Sequence, residues 1–161
     1  MKPKRTYREF KQGLYKPVNK AKCLNKTPPE YRSGLEMKMM NVLDKNDNIL
    51  EWSSEKVVIP YFKSSEQRIA RYFVDFYFKI KLGEVIKEYI VEIKPHKQTL
   101  PPTEHGNKKK STVMYESVAF LNNTNKWDAA RQWCVEQKRT KNRDIQFIII
   151  TEKNIDTILT T

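Results

Sequence analysis

Residues 70–95 read ARYFVDFYFKIKLGEVIKEYIVEIKP, and their alternation decides the fold class. From Ala70 to Lys81 the residues Tyr72, Val74, Phe76, Phe78 and Ile80 take one side. Arg71, Phe73, Asp75, Tyr77, Lys79 and Lys81 take the other. That period of two predicts a strand with one apolar face. Gly83 marks a turn, and Val85–Lys94 is the return strand, ended by Pro95. Tyr89, Val91 and Ile93 share one of its faces; Glu88, Ile90, Glu92 and Lys94 share the other. A two-residue Leu82-Gly83 loop pairs positions summing to 165, and a four-residue loop pairs positions summing to 167. Either register places Asp75, Glu92 and Lys94 on one face, with the two acids neighbours across the strands. A one-residue bulge would separate them.

Outward from the hairpin, Ser33-Gly34-Leu35-Glu36 has capping-box spacing and opens a helix over about 33–43. Ile49–Trp52 and Lys56–Tyr61 read as short strands, with Pro60 at an end or edge. A loop over 95–110 leads to two helices, near 110–121 and 125–139, with Asn123 or Thr124 as N-caps of the second. Ile145–Thr151 is an apolar strand suited to cover on both faces. The order arm–α–β–β–β–β–α–α–β predicts an α/β or α+β domain over 31–161, with a mixed sheet flanked by helices.

Composition narrows the function. The chain has 161 residues, 31 Lys plus Arg against 19 Asp plus Glu, and a formal charge of +12. Such a balance suits a polyanionic partner. Nine basic residues and two acids fall within 1–30, beside prolines at 3, 17, 28 and 29. This stretch reads as a basic arm, partly ordered at best. No apolar run reaches membrane-span length, no secretory leader is expected, and Cys23 and Cys134 fit neither a disulfide scaffold nor a metal spacing. With His96 and His105 they form no zinc pattern. Four scattered glycines exclude a phosphate-binding P-loop, and neither G-x-S-x-G nor HExxH occurs.

The chemistry sits on the hairpin. Two facing carboxylates, Asp75 and Glu92, suit a hard divalent cation. Phosphodiester hydrolysis uses one, because charge builds on phosphate and water must become nucleophilic. Lys94 falls on the same face, where an ammonium can orient or help deprotonate the attacking water; the Ile93 carbonyl is a further ligand. Glu36 adds an outer carboxylate if its helix docks beside the hairpin. The bland reading is a solvated hairpin face with weak ion pairs, and Glu36 as N3 of a capping box bonding back to Ser33. Against that stands Asp75 amid Tyr72, Phe73, Phe76 and Tyr77, where a lone carboxylate is costly unless a cation compensates.

Glu36, Val74-Asp75 and Glu92-Ile93-Lys94 resemble the E…D…ExK signature of the restriction-endonuclease-like PD-(D/E)xK nucleases, with Val74 at the usual proline. Tyr31–Glu36, Ile49–Trp52, Glu55, Ile59–Tyr61, Tyr72–Phe76 and Val91–Pro95 run in the order seen in the head-completion nucleases of T4-like tailed phages. The same core is similar to the TnsA-like transposase nucleases. The resemblance implies an Mg²⁺-dependent endonuclease, with Mn²⁺ as alternative ion. It implies Asp75, Glu92 and Ile93 as metal ligands, and Glu36, Asp75, Glu92 and Lys94 as the catalytic set. Glu55 falls at a family position without a role, and Lys56 or Lys63 are its expected partners. The resemblance also implies action on packaged DNA ends in the infected cell or at the capsid vertex, with portal or head–neck proteins as further partners.

The expected substrate is double-stranded DNA, gripped through phosphates by Lys4, Arg5, Arg8 and Lys11 of the arm, Lys108-Lys109-Lys110, and Lys126. No feature sets an oligomeric state. Rival readings are a catalytically weak DNA-end-binding or portal-adaptor protein of the same fold, a structural nucleic-acid-binding protein, and a junction-specific nuclease.

Overall fold

A computed structural model describes residues 12–104 and 106–157. Short strands β1 (Gly13–Leu14) and β2 (Glu30–Tyr31) precede helix α1 (Gly34–Lys45). Strands β3 (Ile49–Ser54), β4 (Val58–Lys63), β5 (Arg68–Phe73), β6 (Phe76–Leu82) and β7 (Val85–Ile93) follow. Helix α2 (Lys110–Lys141) then leads to β8 (Ile145–Ile150).

The central sheet has the order β3-β6-β7-β8. Its first two pairings are antiparallel, and β7–β8 is parallel, with α2 supplying the crossover that parallel strands require. The mixed sheet flanked by helices is the expected class. One face packs Met39, Met40 and Leu43 of α1 on Trp52, Phe76, Phe78, Val91 and Ile150. The other packs Tyr77, Ile90 and Ile145 against Ala130 of α2 and against Ile59, Tyr61 and Tyr72 of the separate β4–β5 ribbon. Each buried aromatic or branched side chain contributes about 1.5–3 kcal/mol.

The hairpin adopts the 167 register: Phe76 faces Val91 and Leu82 faces Val85. The turn is Gly83-Glu84 rather than a four-residue loop, and Gly83 takes φ +60, the conformation a tight hairpin turn needs. The continuous strand expected over 70–81 is broken at Val74-Asp75. There the Val74 amide donates to the Val57 carbonyl, and the Glu55 amide to the Asp75 carbonyl. The chain switches faces at the break, so Tyr72 and Val74 belong to the α2-side core while Phe76, Phe78 and Ile80 belong to the α1 side.

Three further expectations are corrected. The arm does not extend to residue 30 as loose chain, because residues 13–31 lie against the domain. Asp44, fully buried, accepts hydrogen bonds from the Tyr15 hydroxyl (3.0 Å) and the Val18 and Asn19 amides (2.8 and 3.0 Å). Lys22 and Leu24 exchange backbone hydrogen bonds with Trp52. The two helices beyond 110 are one 32-residue helix. Its Asn-rich middle caps nothing; Asn125 accepts from the Ser64 amide (3.1 Å) and Asn122 from the Ser65 hydroxyl (2.7 Å), in the turn joining β4 to β5. Finally, β8 is an edge strand, with Gln146 exposed and Phe147–Ile149 half-buried, so only part of its surface is covered.

Candidate active site

The break at Val74-Asp75 puts Asp75 beside the end of β7. Its Oδ2 accepts the Ile93 amide hydrogen at 2.7 Å. Glu92 lies on the same side, 2% exposed, with both oxygens held: Tyr72 donates its hydroxyl hydrogen to Oε2 at 2.5 Å, and Lys94 Nζ lies 2.9 Å from Oε1. The Lys94 amide in turn donates to the Ile150 carbonyl of β8 at 3.0 Å. The structure thus brings Asp75, Glu92, Ile93 and Lys94 together at the β7 terminus.

The electrostatics follow from burial. Desolvation and the nearby Glu92 charge push the Asp75 carboxyl up to about 8, against the lowering effects of the Ile93 amide and Lys94. For Lys94, burial acts downward, but Glu92, Asp75 and Glu36 outweigh it and hold the amine above its usual range. Lys94 is therefore an ammonium at neutral pH.

Glu36 sits on the first turn of α1, where Ser33 Oγ accepts the Glu36 amide at 3.1 Å. Its carboxylate does not bond back to Ser33 as expected. It accepts the Arg32 amide at 2.8 Å and still lies near enough to act on Asp75 and Lys94. Glu55 pairs not with Lys56 or Lys63 but with the Arg32 guanidinium at 2.8 Å. Glu55 has φ +54, a conformation that costs a non-glycine residue on the order of 1 kcal/mol and serves here to direct its amide at Asp75. Arg32 thereby links Glu36 to the β3–β4 loop, whose Glu55 amide holds the Asp75 carbonyl.

A second amine reaches the site from α2. Lys126 Nζ lies over the rings of Tyr72 and Tyr61, 5.6 and 5.9 Å from their centroids. Burial lowers its pKa; Glu92 and Asp75 act upward, and Lys94 and Lys63 downward. Among the other expected DNA contacts, Lys108 pairs with Glu116 at 2.8 Å, Lys109 is the N-cap of α2, and Lys110 is its first residue. Lys4, Arg5, Arg8 and Lys11 lie outside the described residues. Sequence reasoning missed Tyr72, whose alternation marks it as core. The available signal was its hydroxyl, since a buried tyrosine needs a polar partner where phenylalanine does not.

The donor set fits a hard divalent ion. Half-buried Asp75 and buried Glu92 bring two carboxyl groups together, and the Ile93 carbonyl adds a neutral oxygen. Among the described residues no group of three or more His, Cys, Asp or Glu side chains is placed to hold a metal. Among the same residues, no helix is long and apolar enough to cross a membrane.

Residues 46–152 match the family model of the TnsA-like endonuclease N-terminal domain. The chain is 38% identical over 128 residues to the head completion nuclease of Enterobacteria phage T4, covering 78% of this chain and 79% of that protein. Asp75, Glu92 and Lys94 all fall inside both the matched family segment and the broken-hairpin site, and the chain belongs to the TnsA-like endonuclease family, as a nuclease related to the head completion nuclease of T4.

Proposed function

We propose that this nuclease is an Mg²⁺-dependent endonuclease that hydrolyses phosphodiester bonds of double-stranded DNA. The carrying observation is half-buried Asp75 beside buried Glu92, with Lys94 bonded to Glu92. Asp75, Glu92 and the Ile93 carbonyl hold the ion, with Mn²⁺ as a substitute. Bound there, it supplies Lewis-acid stabilisation of the charge that grows on the phosphate and makes a bound water more acidic.

The protein's own groups do the rest. Tyr72 and Lys94 fix the Glu92 carboxylate from both sides. Lys94, kept protonated, orients the attacking water and stabilises developing negative charge; it does not serve as the resting base. Glu36 is the outer carboxylate. Lys126, held over Tyr61 and Tyr72, receives a phosphate oxygen. Lys108, Lys109 and Lys110 crowd a helix N-terminus, where the helix dipole disfavours cations and favours anions; a DNA phosphate resolves that conflict.

The relative is a phage head completion nuclease, which supports a role in head completion for this chain; action on DNA ends, in the infected cell or at the capsid vertex, with portal or head–neck proteins as partners, is our reading of that role. The test is cleavage of supercoiled and linear duplex with Mg²⁺ or Mn²⁺, beside Asp75→Ala and an EDTA control. Metal-dependent cutting lost in the variant is the expected result. A folded, DNA-binding protein that cuts with neither metal would assign the chain to DNA-end binding or portal adaptation instead.

A further inference from the structure

The catalytic reading uses α2 at Lys126. The half of the helix before Lys126 borders a groove of about 610 Å³ that this reading leaves without a task. Tyr115, Phe120 and Asn123 line its helix side; Lys97, Leu100 and Pro101, from the strap after β7, line the other. Its volume is in the range of ligand-binding clefts.

Both walls are close along the chain to residues of the proposed site. Asn123 precedes Lys126 by three residues, about 4.5 Å along the helix axis. Lys97 follows Lys94 by three residues.

The lining has a mixed chemistry. Tyr115 is 77% exposed and Leu100 52% exposed, so an aromatic plane and an aliphatic side chain stand in water beside a lysine. The backbone of a paired duplex presents phosphate and sugar, which need cations but no aromatic plane. An unpaired nucleotide needs both, a cation for its phosphate and a ring to stack on its base. The acid in the groove, Glu116, is neutralised by Lys108 at 2.8 Å and does not repel a strand. Asn123 offers an amide for a base edge.

We propose that this groove receives one or two unpaired nucleotides continuous with the strand being cut, with a base on Tyr115 and a phosphate toward Lys97. The inference rests on the nuclease reading of the adjoining site and narrows its substrate: DNA ends with a single-stranded or frayed terminus are preferred over blunt duplex.

The test is binding of the full chain in EDTA, followed by fluorescence anisotropy, to three duplexes: blunt, with a four-thymine overhang, and with an overhang of four abasic residues. Both overhang polarities are used. The abasic overhang carries the same phosphates without bases. The expected result is about tenfold tighter binding of the thymine overhang than of either other duplex, in at least one polarity. Tyr115→Ala removes that preference and Tyr115→Phe keeps it. Equal affinity of the wild type for thymine and abasic overhangs overturns the proposal, as does a thymine preference that survives Tyr115→Ala. No cleavage occurs in EDTA, so these outcomes are independent of whether the site turns over. Failure of the nuclease reading would appear separately, as no metal-dependent cutting of any of the three duplexes.

Discussion

Tyr72 and Glu92 are joined by a 2.5 Å hydrogen bond at the bottom of the site, although they come from different sheets. Tyr72 sits on the β4–β5 ribbon and Glu92 on the central sheet, so the ribbon positions a carboxylate it does not carry. Tyr72→Phe keeps the ring under Lys126 and removes only the hydroxyl. We expect kcat to fall about tenfold with DNA affinity unchanged, and the lost bond to a charged partner to cost about 1.5–3 kcal/mol of stability. Single-turnover kinetics and denaturant melts check both.

Asp75 makes stability depend on pH. An unfolded aspartate titrates near 4, whereas the folded carboxyl is pushed up to about 8 by burial and Glu92. Between those values the folded chain holds a proton that the unfolded chain has lost. Metal-free stability therefore declines as pH rises from about 4 to about 8. Asp75→Asn removes this slope and raises the melting temperature at pH 8, while abolishing cleavage. Added Mg²⁺ stabilises the wild type most at the alkaline end and leaves the variant unmoved. Thermal melts across pH, with and without Mg²⁺, decide the matter.

Lys94 and Lys126 divide the work differently. Lys94→Ala is expected to abolish cleavage and leave DNA binding nearly intact, since Lys94 is bound to Glu92 and not free for a phosphate. Lys126→Met keeps the stem over Tyr61 and Tyr72 but removes the charge. It should weaken binding and flatten the plot of log affinity against log salt by about 0.9. Lys126→Arg should restore most of the binding. Salt titrations of each variant measure the contrast.

Two truncations test the basic N-terminal residues and the anchored stretch that follows them. Removing residues 1–11, which include Lys2, Lys4, Arg5, Arg8 and Lys11, is expected to weaken DNA binding and flatten the salt slope by about 0.9 per lost contact. Removing residues 1–26 instead deletes Tyr15, Val18 and Asn19, and with them three hydrogen bonds to the Asp44 carboxylate and the cover that buried Tyr15 gives the core. That truncation should lose about 3–5 kcal/mol, from the lost burial of Tyr15 and the lost hydrogen bonds to a charged acceptor. Paired melts of the two truncations show the difference.

The hairpin that carries the candidate site is legible in the sequence because its information is local. A period of two places Asp75, Glu92 and Lys94 together in either odd register, and the structure adopts one of them. The break between β5 and β6 was not legible, because Tyr72, Val74, Phe76, Phe78 and Ile80 stay apolar across it, first on one core and then on the other. Asn123 and Thr124 read as a helix boundary, since short polar side chains compete with helical backbone. Their neighbours Asn122 and Asn125 instead bond Ser65 and Ser64, about sixty residues away. The same distance effect hid the anchoring of residues 13–31, for charge and prolines announce a loose arm while the buried Asp44 that fastens it belongs to α1. Lys126 read only as a charge on a polar helix side. Its position over Tyr61 and Tyr72 depends on how α2 docks against the ribbon.

The backbone of Lys94 is clamped by the carbonyl of Ile150, fifty-six residues further along the chain. The β6–β7 hairpin joins adjacent strands, whereas β8 follows the whole of α2 and closes across more than fifty residues. Closure of that long loop, and not formation of the hairpin, is therefore the folding step that fixes the backbone of the lysine.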